Sequence, residues 1–160
     1  MRPINGKLGA PRGLLPPWGY ALEHDPHPML VAALRCLHRN GAKPRALAEC
    51  KGDSCDWVRQ TAECLARGEC CGAVVFCEDA NLACCVANKV PGIRAAAVAS
   101  VFQAQRAVSS LGANLLAVEQ GGRTFFEFKE ILRLCCLRSS ISCPEKVAGT
   151  LRELDGHAHR

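Results

Sequence analysis

Cys77 closes an uninterrupted apolar run, Ala73 to Phe76, and is followed at once by Glu78 and Asp79. A thiol where a strand gives way to a helix is placed for proton transfer, because the partial positive charge at a helix amino terminus favours the thiolate. The two carboxylates act the other way, since negative charge beside a thiol raises its pKa. They also have a purely structural use: Asp79 is a good N-cap and Glu78 complements the dipole, together worth about 1–2 kcal/mol to the fold. Three adjacent cysteine pairs, Cys70-Cys71, Cys84-Cys85 and Cys135-Cys136, invite a metal or redox reading. No Cys-x-x-Cys occurs, and neighbouring cysteines cannot both face one tetrahedral ion without strain. His157 and His159 belong to the terminus and His38 to an exposed helix face, so neither a zinc centre nor any cofactor is expected.

Elements must hold these groups in place. The run Ala73 to Cys77 reads as a central parallel strand covered on both faces. Ahead of it, a short strand from Gly19 to Asp25 and a helix from about Met29 to Asn40 form one β-α unit, with Gly41 where a C-terminal cap belongs. A weak strand at Arg45 to Ala48, a polar loop from Glu49 to Cys55, and a helix from Asp56 to Arg67 form the next. Alternation continues with a helix at Ala80 to Asn88, a strand at Arg94 to Val98 and a helix at Val101 to Ser110. A strand at Asn114 to Val118 and a helix at Phe125 to Leu137 complete it. Such an order implies a single α/β domain with a three-layer, doubly wound parallel sheet. It is expected over residues 19–155, after an irregular Pro/Gly-rich arm at 1–18 and before a disordered tail at 156–160. The last helix, Pro144 to Leu154, has a single apolar stripe of Val147, Leu151 and Leu154 and arrives after the sheet is complete, so it needs a surface to cover.

Composition narrows the classes. The chain has 160 residues, 49% hydrophobic and 22% charged, enough for one core. Its net charge of +5 is modest and its Lys and Arg residues are scattered, which argues against a nucleic-acid partner. No stretch approaches the ~18 apolar residues of a membrane span, and the first residues lack a signal-peptide core. A cytoplasmic protein with reduced thiols is expected, its cysteines serving as small hydrophobes.

Residues 72 to 97 closely resemble the signature of the ribose-5-phosphate isomerase B and galactose-6-phosphate isomerase family. There a strand ends in Cys-Gly-Thr-Gly-x-Gly and the following helix ends in Ala-Asn-Lys-x-x-Gly-Ile-Arg-Ala. Asn88, Lys89, Gly92, Ile93, Arg94 and Ala95 match, and Cys77 falls on the family's catalytic cysteine, the base that moves a proton between adjacent carbons. The anion-loop positions are instead Glu78, Asp79, Ala80, Asn81 and Leu82, so the loop glycines, which let bare backbone N–H groups approach an anion, are gone. One branch of the family takes its base from a glutamate at the position of Ala83. Ser110 stands where the family has its ring-opening histidine, while Asn114 is kept. Asp25 aligns with the family's Asp-His aspartate, with Pro26 on the histidine; a rival register sets residues 18 to 23 against the first strand and loses both. Asp53 and Trp57 fall on an Asp-Tyr-Pro-x-Tyr loop, and the phosphate arginines fall on Ser142 and Lys146. The resemblance implies Asp25, Asp53, Asn88 and Lys146 as substrate contacts, a phosphorylated sugar as ligand, and a C-terminal helix that reaches the partner subunit of a homodimer or of a heteromer with a homologous chain.

Two functions follow. In one the chain is an aldose-ketose isomerase of the ribose 5-phosphate/ribulose 5-phosphate type with an altered site, Cys77 acting with Asp25, Lys146 and Arg94 nearby. In the other it is a non-catalytic homologue serving as a structural subunit or sugar-phosphate binding partner of an active paralogue. Loss of the loop glycines together with the histidine favours the second.

Overall fold

The computed structural model describes residues 17–47, 52–136 and 142–157. The expected arm, apart from its last two residues, and the end of the tail lie outside these. Five parallel strands form one sheet in the order β2-β1-β3-β5-β4, with β1 at Gly19–Leu22, β2 at Arg45–Ala46, β3 at Ala73–Cys77, β4 at Ala95–Ala97 and β5 at Leu115–Glu119. The doubly wound expectation holds. Every residue of β3 is buried, as a strand paired on both edges and covered on both faces must be.

Alternation along β3 sends Val74 and Phe76 to one face and Ala73, Val75 and Cys77 to the other. The first face packs against α1 (Pro28–Arg39), α4 (Val101–Arg106) and α5 (Phe125–Cys136), through Leu30, Leu37, Ala104, Phe128 and Ile131. Phe76 meets Phe128 edge to face at 5.8 Å, and truncating either to Ala costs about 3–5 kcal/mol. The second face, where the Cys77 side chain lies, packs against α2 (Ser54–Ala66) and α3 (Ala80–Ala87) through Trp57, Val58, Ala80 and Ala83.

Boundaries differ from expectation where local chemistry intervenes. Trp18, just ahead of β1, is buried with its ring against Gly72; a Cβ on that glycine would lie 2.5 Å from the indole. The helix expected to reach Ser110 is α-helical only to Arg106 and finishes in a π-helical turn, Ala107–Leu111. There the Ser109 and Ser110 hydroxyls both donate back to the Arg106 carbonyl, a pattern that loosens the helical ladder. Gly112 ends the turn at φ +64, and a side chain there would also collide with the backbone of Cys143. The last helix, α6, spans Glu145–His157, past the boundary expected at residue 155, with His157 in its final turn complementing the dipole. None of its residues is buried.

Candidate functional site

Ligands in open parallel sheets bind outside the carboxyl ends of the strands, where the strand order reverses. Here that point lies between β1 and β3. The chain leaves β1 through Glu23, His24 and Asp25, and leaves β3 through Glu78 and Asp79 into α3. The neighbouring β5 ends in Glu119, paired in register with Cys77.

Backbone donors at this end are taken by carboxylates of the same chain. Glu78 N–H donates to Glu23 Oε2 at 2.8 Å, and Ala80 N–H to Glu119 Oε1 at 3.1 Å. Asp79 caps α3, accepting from Asn81 N–H at 2.9 Å and Leu82 N–H at 3.0 Å. The other oxygen of Glu23 accepts from the Ser54 hydroxyl at the start of α2. Loop positions 78–82 therefore form a self-capped helix start, and Leu82 stands 40% exposed where the family resemblance calls for a glycine.

Cys77 is buried, and its thiol faces the Val118 carbonyl at 3.7 Å. Burial first, then the negative charges of Glu23 and Glu119, push this thiol up to about 12. The helix terminus that could favour a thiolate begins beyond it and is already capped by Asp79. Any base chemistry would have to start from a protonated sulfur.

Of the other residues expected at the site, Asp25 stands exposed in the bend after β1. Asp53 has a structural role as N-cap of α2, accepting from Asp56 N–H at 3.0 Å. Asn88, Ser110, Lys146 and Arg94 are not gathered at the carboxyl end. Asn88 clamps the first residue of β4, accepting from Ala95 N–H at 2.7 Å and donating to the Ala95 carbonyl at 3.0 Å. Arg94 donates from Nε to the Gly112 carbonyl at 2.8 Å, and its own N–H is held by Asn114 Oδ1 at 2.7 Å. These groups surround the amino ends of β4 and β5. The Ser110 hydroxyl is spent on Arg106 at 2.7 Å. Lys146 sits on α6, which with Asn88, Arg94, Leu111 and Ile93 encloses a cavity of about 360 Å³ at that same amino end.

Sequence reasoning missed Glu23, Ser54 and Glu119. His27 caps α1 with its ring nitrogen, and its N–H donates to Gln120 at 2.7 Å, tying the β1 loop to the β5 loop. The available signal was position: Glu23 directly follows one strand and Glu119 ends another, at the edge where parallel sheets hold ligands. Glu23, His24 and Glu78 also place ligand atoms within 4.8 Å of one another. Both Glu23 oxygens are already committed to donors, and the other two side chains stand in solvent, so no metal centre is assigned.

The fold has clear relatives among solved structures. A type B ribose 5-phosphate isomerase from Trypanosoma brucei superposes with a TM-score of 0.69 at 22% identity, covering 88% of this chain and 97% of that one. Ribose-5-phosphate isomerase B from Clostridium thermocellum gives 0.69 at 21%, covering 88% and 98%. The Mycoplasma genitalium enzyme, solved with bound ribulose-5-phosphate, gives 0.67 at 19%, covering 86% and 95%. No curated protein sequence matches the chain. The ribose/galactose isomerase family model matches residues 30–134, from the first helix into the last turn of α5, and over that span, more than half its length, the chain belongs to this family.

Proposed function

We propose that this chain is a non-catalytic member of the ribose/galactose isomerase family, an assembly subunit whose partner is a second chain of the same fold. The observation that carries this reading is the state of Cys77. Isomerisation through an enediolate needs a base near neutrality, donors free to hold the oxyanion, and an acid to open the sugar ring. The thiol at the base position is buried and pushed up to about 12. The nearby N–H donors are occupied by Glu23, Glu119 and Asp79. The ring-opening position is Ser110, whose hydroxyl bonds its own helix. A carboxylate about 4 Å from an enediolate, at an effective dielectric near 20, opposes it by roughly 4 kcal/mol.

Assembly is supported by α6. Its stripe of Val147, Leu151 and Leu154 is not buried by the chain, and Leu154 is 60% exposed. Burial of such side chains contributes about 1.5–3 kcal/mol each before ordering costs. Light scattering coupled to size exclusion should find full-length protein as a dimer, and a chain lacking residues 142 to 160 as a monomer or an aggregate. Removal of residues 1 to 15 should leave assembly unchanged.

The catalytic test is turnover by purified full-length protein with ribose 5-phosphate, ribulose 5-phosphate and hexose 6-phosphates. No isomerisation above background is expected. Turnover that disappears in Cys77→Ala would replace this reading with that of an isomerase built on an altered site. Combined reversion, Glu78→Gly, Asp79→Thr, Ala80→Gly and Leu82→Gly with Ser110→His, should restore more activity than any single change, because anion hole and imidazole act as a unit.

A further inference from the structure

The carboxylate of Glu23 reaches across the crevice between β1 and β3 and binds two donors from different elements. One is the backbone N–H of Glu78, the first residue after β3, at 2.8 Å; the other is the hydroxyl of Ser54, the first residue of α2. Glu78 and Asp79 belong to the loop itself, whereas Glu23 comes from fifty-five positions away in sequence. It lies at the reversal of strand order, where an open parallel sheet receives its ligand. A backbone N–H and a hydroxyl converging from two elements are the kind of donors that hold a phosphate or an oxyanion. In this chain they hold a carboxylate.

We propose that Glu23 is a built-in anion: its side chain occupies the donors of the β1–β3 crevice and closes that crevice to phosphate-bearing ligands. The consequence is a specificity set by charge as much as by space. An incoming phosphate must displace a charge-assisted pair of hydrogen bonds and then sit against Glu23, Glu78 and Asp79. With the crevice occupied from within, the chain keeps the family fold without competing for its relatives' phosphorylated ligands. This inference rests on the non-catalytic reading above, but its test is separate.

The experiment titrates isotopically labelled full-length protein with inorganic phosphate, and separately with ribose 5-phosphate, following the amide resonances of Glu78 and Ala80. The wild-type chain should show no saturable shift at Glu78. Glu23→Ala should gain saturable binding of both probes, at least about tenfold tighter than any wild-type response, with the Glu78 amide moving most. Glu23→Gln, which keeps an acceptor of the same shape but removes the charge, should fall between them and serves as the deciding variant if Glu23→Ala does not fold. Glu69→Gln, a charge removed from the exposed Arg67 pair, controls for net charge and should remain silent. Wild-type protein that binds phosphate through the Glu78 amide as tightly as the variants would overturn the proposal, as would folded variants that gain nothing. Turnover by wild-type protein would sink the non-catalytic reading whatever Glu23 does. Folded variants without gain, in a protein without turnover, would sink only the role given to Glu23.

Discussion

The two ends of the sheet follow different rules. At the amino ends of β4 and β5, Asn88, Arg94 and Asn114 lace three loops together through backbone contacts, and these are the motif residues that match the family signature. At the carboxyl ends of β1, β3 and β5, three carboxylates accept from the backbone N–H groups of Glu78, Ala80, Asn81 and Leu82. Side-chain amides and a guanidinium hold the backbone at one end, and carboxylates hold it at the other. The contrast teaches that the amino-end motif residues have a structural use in this chain that does not depend on any chemistry at the opposite end, as expected when function is a site grafted on a fold.

Removing the amino-end clamp is the strongest way to press this contrast. Asn88→Ala leaves both backbone groups of Ala95 without their partners at a buried position. It should cost about 2–4 kcal/mol in urea unfolding. The corresponding cut at the carboxyl end, Asp79→Ala, removes an N-cap that accepts two N–H groups and should cost about 1 kcal/mol by the same measurement. Equal losses would mean that the two ends contribute alike to stability.

Much of the fold was legible in the sequence because its signals are local. The apolar run 73–77, the helix cap at Asp79, and the alternation of strands with helices all lie within short windows, and the structure reproduces each. The site was less legible because its decisive contacts are long-range. Glu23 meets Glu78, and Glu119 meets Ala80, across gaps that no periodicity encodes. Asn88 carries two kinds of signal: a motif match suggests substrate contact, and the structure shows both ends of its amide bonded to Ala95. The π-helical turn was hidden because apolar spacing through Val108 fits an α-helix, and the distinction lies in two serine hydroxyls.

The wholly or partly buried thiols sharpen the comparison through pH. Cys77, raised to about 12, with Cys84 and Cys136 raised to about 11, bind their protons more tightly when folded than an ordinary thiol near 9. Folded values above unfolded ones mean that stability is fully present below pH 9 and declines as pH rises toward 11 to 12. Urea midpoints should therefore hold steady from neutrality to about pH 9 and then fall, and Cys77→Ala should reduce the fall. Smallest of all should be Ser110→His alone. It changes an exposed turn residue, so stability should move by less than about 0.5 kcal/mol, and isomerase activity should not appear.

Whether Cys77 behaves as a base is measured most directly by iodoacetamide labelling of the native protein with peptide mapping at several pH values. Cys77 should be modified no faster than the exposed Cys55 and Cys85 at neutral pH, with its rate still rising above about pH 9 as the thiolate slowly becomes available. Selective modification of Cys77 ahead of every other cysteine at neutral pH would contradict the account, because it would show a thiolate poised for catalysis among the carboxylates that are held to suppress it.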